Sequence, residues 1–178
     1  MEAVQQKTIA MTLHIRPLIP SDAGVYIQLR RQALTESPLS FAASPEDDHA
    51  SSLVSVRDLL SKFPEAVTFG AFNPQLIGAV GLYRDGHRKA AHKVHIWGMY
   101  VLPDHRGSSI GRRLLSAALD HTRTLQGIKQ VHLSVSEAAP VAQKLYEGYG
   151  FTCWGTEPHA LHYQGKYMAE HHMVLLFE

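Results

Sequence analysis

Between a strand-like run, Val94 to Leu102, and a run with Ile110, Leu114, Ala118, His121 and Leu125 at helical spacing stands the segment Arg106-Gly107-Ser108-Ser109-Ile110-Gly111. A loop of small residues feeding a helix N-terminus presents free backbone N–H groups and the positive end of the helix dipole in one direction. A diphosphate needs such a cradle, and Gly107 and Gly111 suit it. No Gly-Lys-Ser/Thr ending follows, which argues against a Walker P-loop, and no Gly-x-Gly-x-x-Gly follows the first strand, which argues against a dinucleotide fold. Many strand-to-helix turns carry two glycines, so the loop alone does not settle the chemistry. The single cysteine, Cys153, has no partner for an internal disulfide and lies between Phe151 and Trp154 in a strand-like run, so it reads as a reduced core thiol. Twelve histidines are the compositional oddity. His171 and His172 would alternate across a strand, and His87, His92 and His95 lack an i, i+4 pair or nearby cysteines. They read as scattered surface and loop residues, with no metal site.

The elements that must position the loop can be read along the chain. At 178 residues, 45% hydrophobic and 19% charged, one domain is expected, and roughly 70% of the unfolded surface can be buried. Basic and acidic residues number 17 and 16 and are spread evenly, which gives no basis for nucleic acid or an acidic membrane as partner. No apolar run approaches the ~20 residues that span a bilayer, and Met1 to Met11 lacks a signal peptide's apolar stretch, so a cytoplasmic location is the expectation. Residues 1–11 read as a polar tail and 12–178 as the domain. The pattern predicts a strand over Thr12 to Pro17 and a helix capped by Ser21 or Asp22 and running to Ser37, with Val25, Leu29 and Ala33 inward. After the break at Pro38 to Asp48, a second helix is expected over Ser51 to Phe63 with Leu53, Val56, Leu59 and Leu60 as its stripe. Strands over Ala66 to Phe72 and Leu76 to Tyr83 turn at Asn73-Pro74, and the Val94 strand follows a polar hairpin end. The loop's helix closes near Gly127, a strand covers Gln130 to Ser136, and a short helix starts at Pro140. Strands over Phe151 to Thr156 and Met173 to Phe177, with Gln164-Gly165 as a turn between them, complete an α/β sheet of mixed direction. Parallel pairing is expected across the Gly111 helix.

Within that order, Val101-x-Pro103-x-x-Arg106-Gly107-x-x-Ile110-Gly111-x-x-Leu114-Leu115 resembles the acetyl-CoA signature of the GNAT superfamily of N-acetyltransferases. Leu145-Tyr146-Glu147-x-Tyr149-Gly150-Phe151 resembles the helix-to-strand motif that follows it there. The likeness extends from Thr12 to Phe177. It implies a single-domain fold with a central twisted, mixed sheet of six to seven strands flanked by about four helices. Two positions depart from the pattern: Ser109 stands where the superfamily usually has glycine, and Ala139 where it usually has asparagine. Ser109 is still small, and its hydroxyl is expected to cap the helix or donate to a phosphate.

The resemblance implies acetyl-CoA as cosubstrate, no metal, and direct attack of a neutral primary amine on the thioester, the amine belonging to a small molecule, a protein or a peptide. The implied cofactor-binding set is Met99, Tyr100, Val101, Arg106, Gly107, Ser108, Ser109, Ile110, Gly111 and Arg112. In it the Met99 N–H faces the oxyanion, and Tyr100 and Val101 hold the pantetheine arm. The arm is expected in a V-shaped gap between the Val94 and Gln130 strands. Tyr146 is the matched position for the phenol that protonates the leaving thiolate. His95, eleven residues before Arg106, is the candidate base, expected to share a strand face with Trp97, Met99 and Val101; a water chain is the other option. Phe41, Tyr163 and Tyr167 are the acceptor-pocket candidates. A homodimer is an expectation by analogy with that superfamily. The competing readings are a non-catalytic acyl-CoA-binding or sensing module and an unrelated phosphate-binding α/β domain.

Overall fold

The alternating runs become seven strands and the helical runs four helices in a computed structural model, which describes residues 12–178; the expected tail, 1–11, lies outside them. The strands are β1 (His14–Pro17), β2 (Ala66–Asn73), β3 (Gln75–Arg84), β4 (Lys93–Val101), β5 (Gln130–Ser136), β6 (Thr152–Tyr163) and β7 (Lys166–Leu176), and the helices are α1 (Ala23–Glu36), α2 (Leu53–Leu60), α3 (Ile110–Thr124) and α4 (Pro140–Glu147). They form one mixed sheet in the order β1-β2-β3-β4-β5-β7-β6. The parallel pair is β4 with β5, which α3 connects.

Each face of the sheet buries a separate apolar cluster. On one face Leu114, Leu115, Ala118 and Leu119 of α3 and Tyr146 of α4 pack with Val80, Val94, Ile96 and Val131. Burying each large aliphatic side chain here stabilises the fold by about 1.5–3 kcal/mol. On the other face Tyr26, Leu29 and Ala33 of α1 and Val56 and Leu60 of α2 pack with Ala79 and Tyr100.

Five local expectations change. Val25 is exposed, and the inward face of α1 carries Tyr26 and Arg30 with Leu29 and Ala33. An apolar pattern misses Arg30 because Asp48 neutralises it inside. The Asp22 side chain does not cap α1; its carboxylate takes two hydrogen bonds from the Arg16 guanidinium, at 2.6 and 2.9 Å. Leu53 is exposed in the first turn of α2. The final hairpin is far longer than the two apolar runs suggested, and β6 forms an edge whose residues are mostly exposed. Cys153 lies on that edge, exposed, so it is not a core thiol.

Two irregularities shape β4. It meets β5 only over Lys93, Val94 and His95, opposite Gln130, Val131 and His132. Beyond those pairs both strands continue without pairing to each other, leaving a gap open toward their C-terminal ends. Gly98 has a left-handed φ of 63°, and the register to β3 slips by one residue between Ala79 and Gly81. This bulge inserts one residue and reverses the alternation of faces.

Candidate active site

The loop after β4 begins with one 3-10 turn, Pro103–His105, in which the Arg106 N–H donates to the Pro103 carbonyl at 3.1 Å. Gly107 (φ 76°) and Ser109 (φ 61°) are both left-handed, and the first helical bond runs from the Arg113 N–H to the Ser109 carbonyl at 3.0 Å. Among the described residues no protein acceptor receives the N–H of any residue from Gly107 through Arg112. Six successive amides at the N-terminus of a fifteen-residue helix thus remain free for an anion. A diphosphate fits this chemistry. The expected Ser109 cap is absent: its left-handed backbone places no side-chain bond onto the helix. The Ser108 hydroxyl is spent on the His105 carbonyl.

Arg106 turns away from the cradle. Its Nε donates to the Val101 carbonyl at 2.9 Å, its Nη2 meets Glu36 at 2.9 Å, and its guanidinium lies 5.5 Å from the centre of the Tyr100 ring. The Tyr100 hydroxyl donates to the same Glu36 carboxylate. Burial and that carboxylate push the Tyr100 phenol upward. The guanidinium thereby ties the loop to the C-terminus of α1, while Arg112, from the expected cofactor-binding set, meets Tyr149 in the turn after α4. Its carbonyl accepts from the Tyr149 hydroxyl at 2.8 Å, and its guanidinium lies 5.9 Å from that ring.

Tyr146 sits in the core cluster of the α3 face, edge-on to Phe151 with ring centres 6.0 Å apart. Burial raises its pKa, so the phenol stays protonated at neutral pH. Its hydroxyl has no hydrogen-bond partner among the described residues. Ala139 stands at the N-cap of α4 and supplies no side-chain acceptor there.

The bulge at Gly98 overturns the expected face of His95. Val94 and Ile96 face α3, and beyond the extra residue Met99 and Val101 also pack on the α3 side, whereas Trp97 and Tyr100 belong to the α1–α2 side. His95 goes with Trp97, opposite to Met99 and Val101. Its ring stacks on Tyr83 at 4.9 Å and lies 5.7 Å from His132, with Nε2 3.5 Å from Asp85. Trp97 crosses Gly81 so closely that a Cβ there would stand 2.3 Å from the indole.

Over this face lies a cavity of about 750 Å³ lined by His49, Ser55, Leu59, Lys62, Glu65, Ala66, Tyr83, Arg84 and Trp97. Behind two of its lining residues, His49 and Trp97, lies a buried ion pair. Arg30, 8% exposed, donates from Nε and Nη2 to one oxygen of Asp48, 4% exposed, at 3.1 and 2.7 Å. Nη1 has no hydrogen-bond partner among the described residues; the guanidinium lies 4.9 Å from the Phe41 ring centre and 5.9 Å from that of Trp97. None of the three expected acceptor residues lines the cavity. Phe41 packs beneath Arg30, and Tyr163 and Tyr167 are exposed on the final hairpin, Tyr167 stacked with His162 at 4.5 Å. His49, Arg30 and Asp48 escaped the reading of the sequence. The available signal was an arginine at the i+4 position from Tyr26, inside an otherwise apolar face.

The sequence model of the acetyltransferase (GNAT) family matches residues 30–151. Among curated proteins, the chain is 48% identical over 54 residues to a mycothiol acetyltransferase of Thermobispora bispora, covering 30% of this chain and 18% of that protein. It is 30% identical over 103 residues to the spermidine N(1)-acetyltransferase of Vibrio cholerae, covering 57% of each. The chain therefore spans well under two thirds of these relatives. Among solved structures, a GNAT-family acetyltransferase from Streptococcus pneumoniae superposes with a TM-score of 0.81 at 19% identity, over 93% of this chain and 100% of that one. A putative acetyltransferase from Salmonella typhimurium, solved with its cofactor acetyl-CoA, superposes with a TM-score of 0.80 at 18% identity, over 94% and 95%. These likenesses show the fold, and the family match spans the free-amide loop, the open β4–β5 gap and α4: the chain belongs to the acetyltransferase (GNAT) family.

Proposed function

We propose that the chain transfers an acetyl group from acetyl-CoA to a primary amine of a small molecule, a protein or a peptide. The observation that carries this reading is the row of six free amides from Gly107 to Arg112, set beside strands that separate after three residue pairs. The amides hold the diphosphate, assisted by the α3 dipole. The edge of β4 beyond His95 offers Met99, Tyr100 and Val101 to the pantetheine arm as an added strand, with the Met99 N–H as donor to the developing oxyanion. Tyr146 protonates the thiolate as the carbon–sulfur bond breaks. The same burial that raises the phenol also raises the proton affinity of a thiolate beside it, so the transfer remains matched.

The acceptor occupies the cavity over β2, β3 and β4, where Trp97, Tyr83 and Leu59 supply an apolar wall and Glu65 a carboxylate at the rim. His95, the expected base, faces this side but stands four residues before Met99, about 13 Å along the strand. His95 is not among the residues that line the cavity.

Thiol release from acetyl-CoA tests the reading, measured against a panel of amines that includes spermidine, tyramine and an alanine-initiated peptide. Amine-dependent release is expected, and Tyr146→Phe should lower kcat by about 10²-fold or more. Acetyl-CoA binding without release by any amine would instead support an acyl-CoA-binding module.

A further inference from the structure

The base can be sought among the groups that the loop between α1 and α2 lowers onto β4. His49 opens a 3-10 turn, His49–Ser51, next to the buried Asp48. One oxygen of the Asp48 carboxylate is held by Arg30; the other accepts the Ala50 N–H at 2.9 Å and lies 3.4 Å from Nδ1 of His49. With Nδ1 turned to that carboxylate, Nε2 is on the opposite side of the ring. The ring packs edge-on against Trp97, centres 4.8 Å apart, and lines the cavity with a side chain 35% exposed. Trp97 lies two residues before Met99, so the ring that His49 packs on belongs to a residue nearer along β4 to the expected oxyanion site than His95.

We infer that His49 is the catalytic base that takes the proton of the acceptor ammonium, with Asp48 as the residue that positions its ring. This rests on the acetyltransferase reading above. An N–H bond of the ammonium breaks, and its proton passes to Nε2. The freed lone pair forms the C–N bond at the acetyl carbon. As the C–S bond breaks, Tyr146 protonates the thiolate, and the proton left on the new amide nitrogen restores the phenol. His49 then releases its proton to solvent through the cavity, so the products are the acetylated amine, CoA thiol and one proton.

The surroundings suit a base that is neutral at physiological pH. Burial lowers the His49 pKa, Asp48 raises it, and Arg30 adds to the lowering; the net direction is down. The other titratable or charged groups around it are Tyr26, 6.3 Å away on α1, and Lys62, Glu65, Tyr83 and Arg84 around the cavity. His95, by contrast, is paired with Asp85 on the far side of Tyr83.

The test is kcat/KM against pH with the best acceptor of the amine panel, for the wild type, His49→Gln, His49→Ala and His95→Ala, with acetyl-CoA affinity measured alongside. Both His49 variants should keep acetyl-CoA affinity and lose about 10²-fold or more in kcat/KM at neutral pH. They should also lose the limb of the profile that rises from acid, and added imidazole should restore part of the rate to His49→Ala. A wild-type rate and profile in His49→Gln overturns the assignment. So does a loss confined to KM with the limb intact, or a limb that persists in His49→Gln and vanishes in His95→Ala. Absence of turnover by the wild type with every amine overturns the parent reading and this assignment together.

Discussion

Ser109 carries the main departure from the superfamily's loop pattern, and its φ of 61° explains why glycine is usual there. A residue with a Cβ costs of order 1 kcal/mol in that conformation, and glycine adopts it freely. Ser109→Gly should therefore raise stability by about 1 kcal/mol in urea unfolding and leave acetyl-CoA affinity unchanged, because backbone amides form the cradle. A weaker affinity would show that the hydroxyl itself contributes. Asp48 is the second decisive residue. Burial opposes its ionised form, but the Arg30 hydrogen bonds and the Ala50 amide outweigh that and hold its pKa below the ordinary 3.8. A group depressed on folding stabilises fully above its unfolded pKa, and that contribution fades as pH falls through the folded value. Asp48→Asn should cost about 3–5 kcal/mol at pH 7, since it strands the buried Arg30. The difference from wild type should shrink below about pH 4, as the wild-type carboxylate itself becomes protonated.

At the scale of elements, most of the order was legible because amphipathic periodicity fixed it: β5 spans Gln130–Ser136 as expected, and α4 starts at Pro140. What periodicity could not show was any place where one residue changes the count. Gly98 reverses the faces of β4, which puts His95 on the face opposite Met99. In the final hairpin, exposure of β6 on both faces removes the alternation that marks a strand, and the positive φ of His159 breaks its register near Glu157. The free-amide loop was readable because its two glycines stand before a helix in a pattern that a second motif, Leu145 to Phe151, follows in order, whereas the cavity depends on side chains from α2, β2, β3 and β4 that no local spacing brings together. One element-level consequence concerns α4. Ala139 occupies its N-cap with no side-chain acceptor, so Ala139→Asn should stabilise the protein by about 1 kcal/mol, read as a higher Tm.

In the whole molecule the sheet separates two functional candidates. The α3–α4 face holds the free-amide loop and Tyr146, the α1–α2 face holds the cavity, His49 and Trp97, and the β4–β5 gap joins the two. Glu36 links them mechanically: from the end of α1 it binds Arg106 of the loop and Tyr100 of β4. No helix among the described residues is long and apolar enough to cross a membrane. The proposed acetyl transfer requires the loop, the gap and the cavity to work as one site. The direct measurement is incubation with acetyl-CoA labelled in its acetyl group together with the amine panel, quantifying CoA thiol and labelled amine in the same sample. The proposed transfer gives one labelled acetyl amide for each thiol released, with Tyr146→Phe slowing both equally. Bound acetyl-CoA with no labelled amide, or thiol released without acetylated amine, would contradict it.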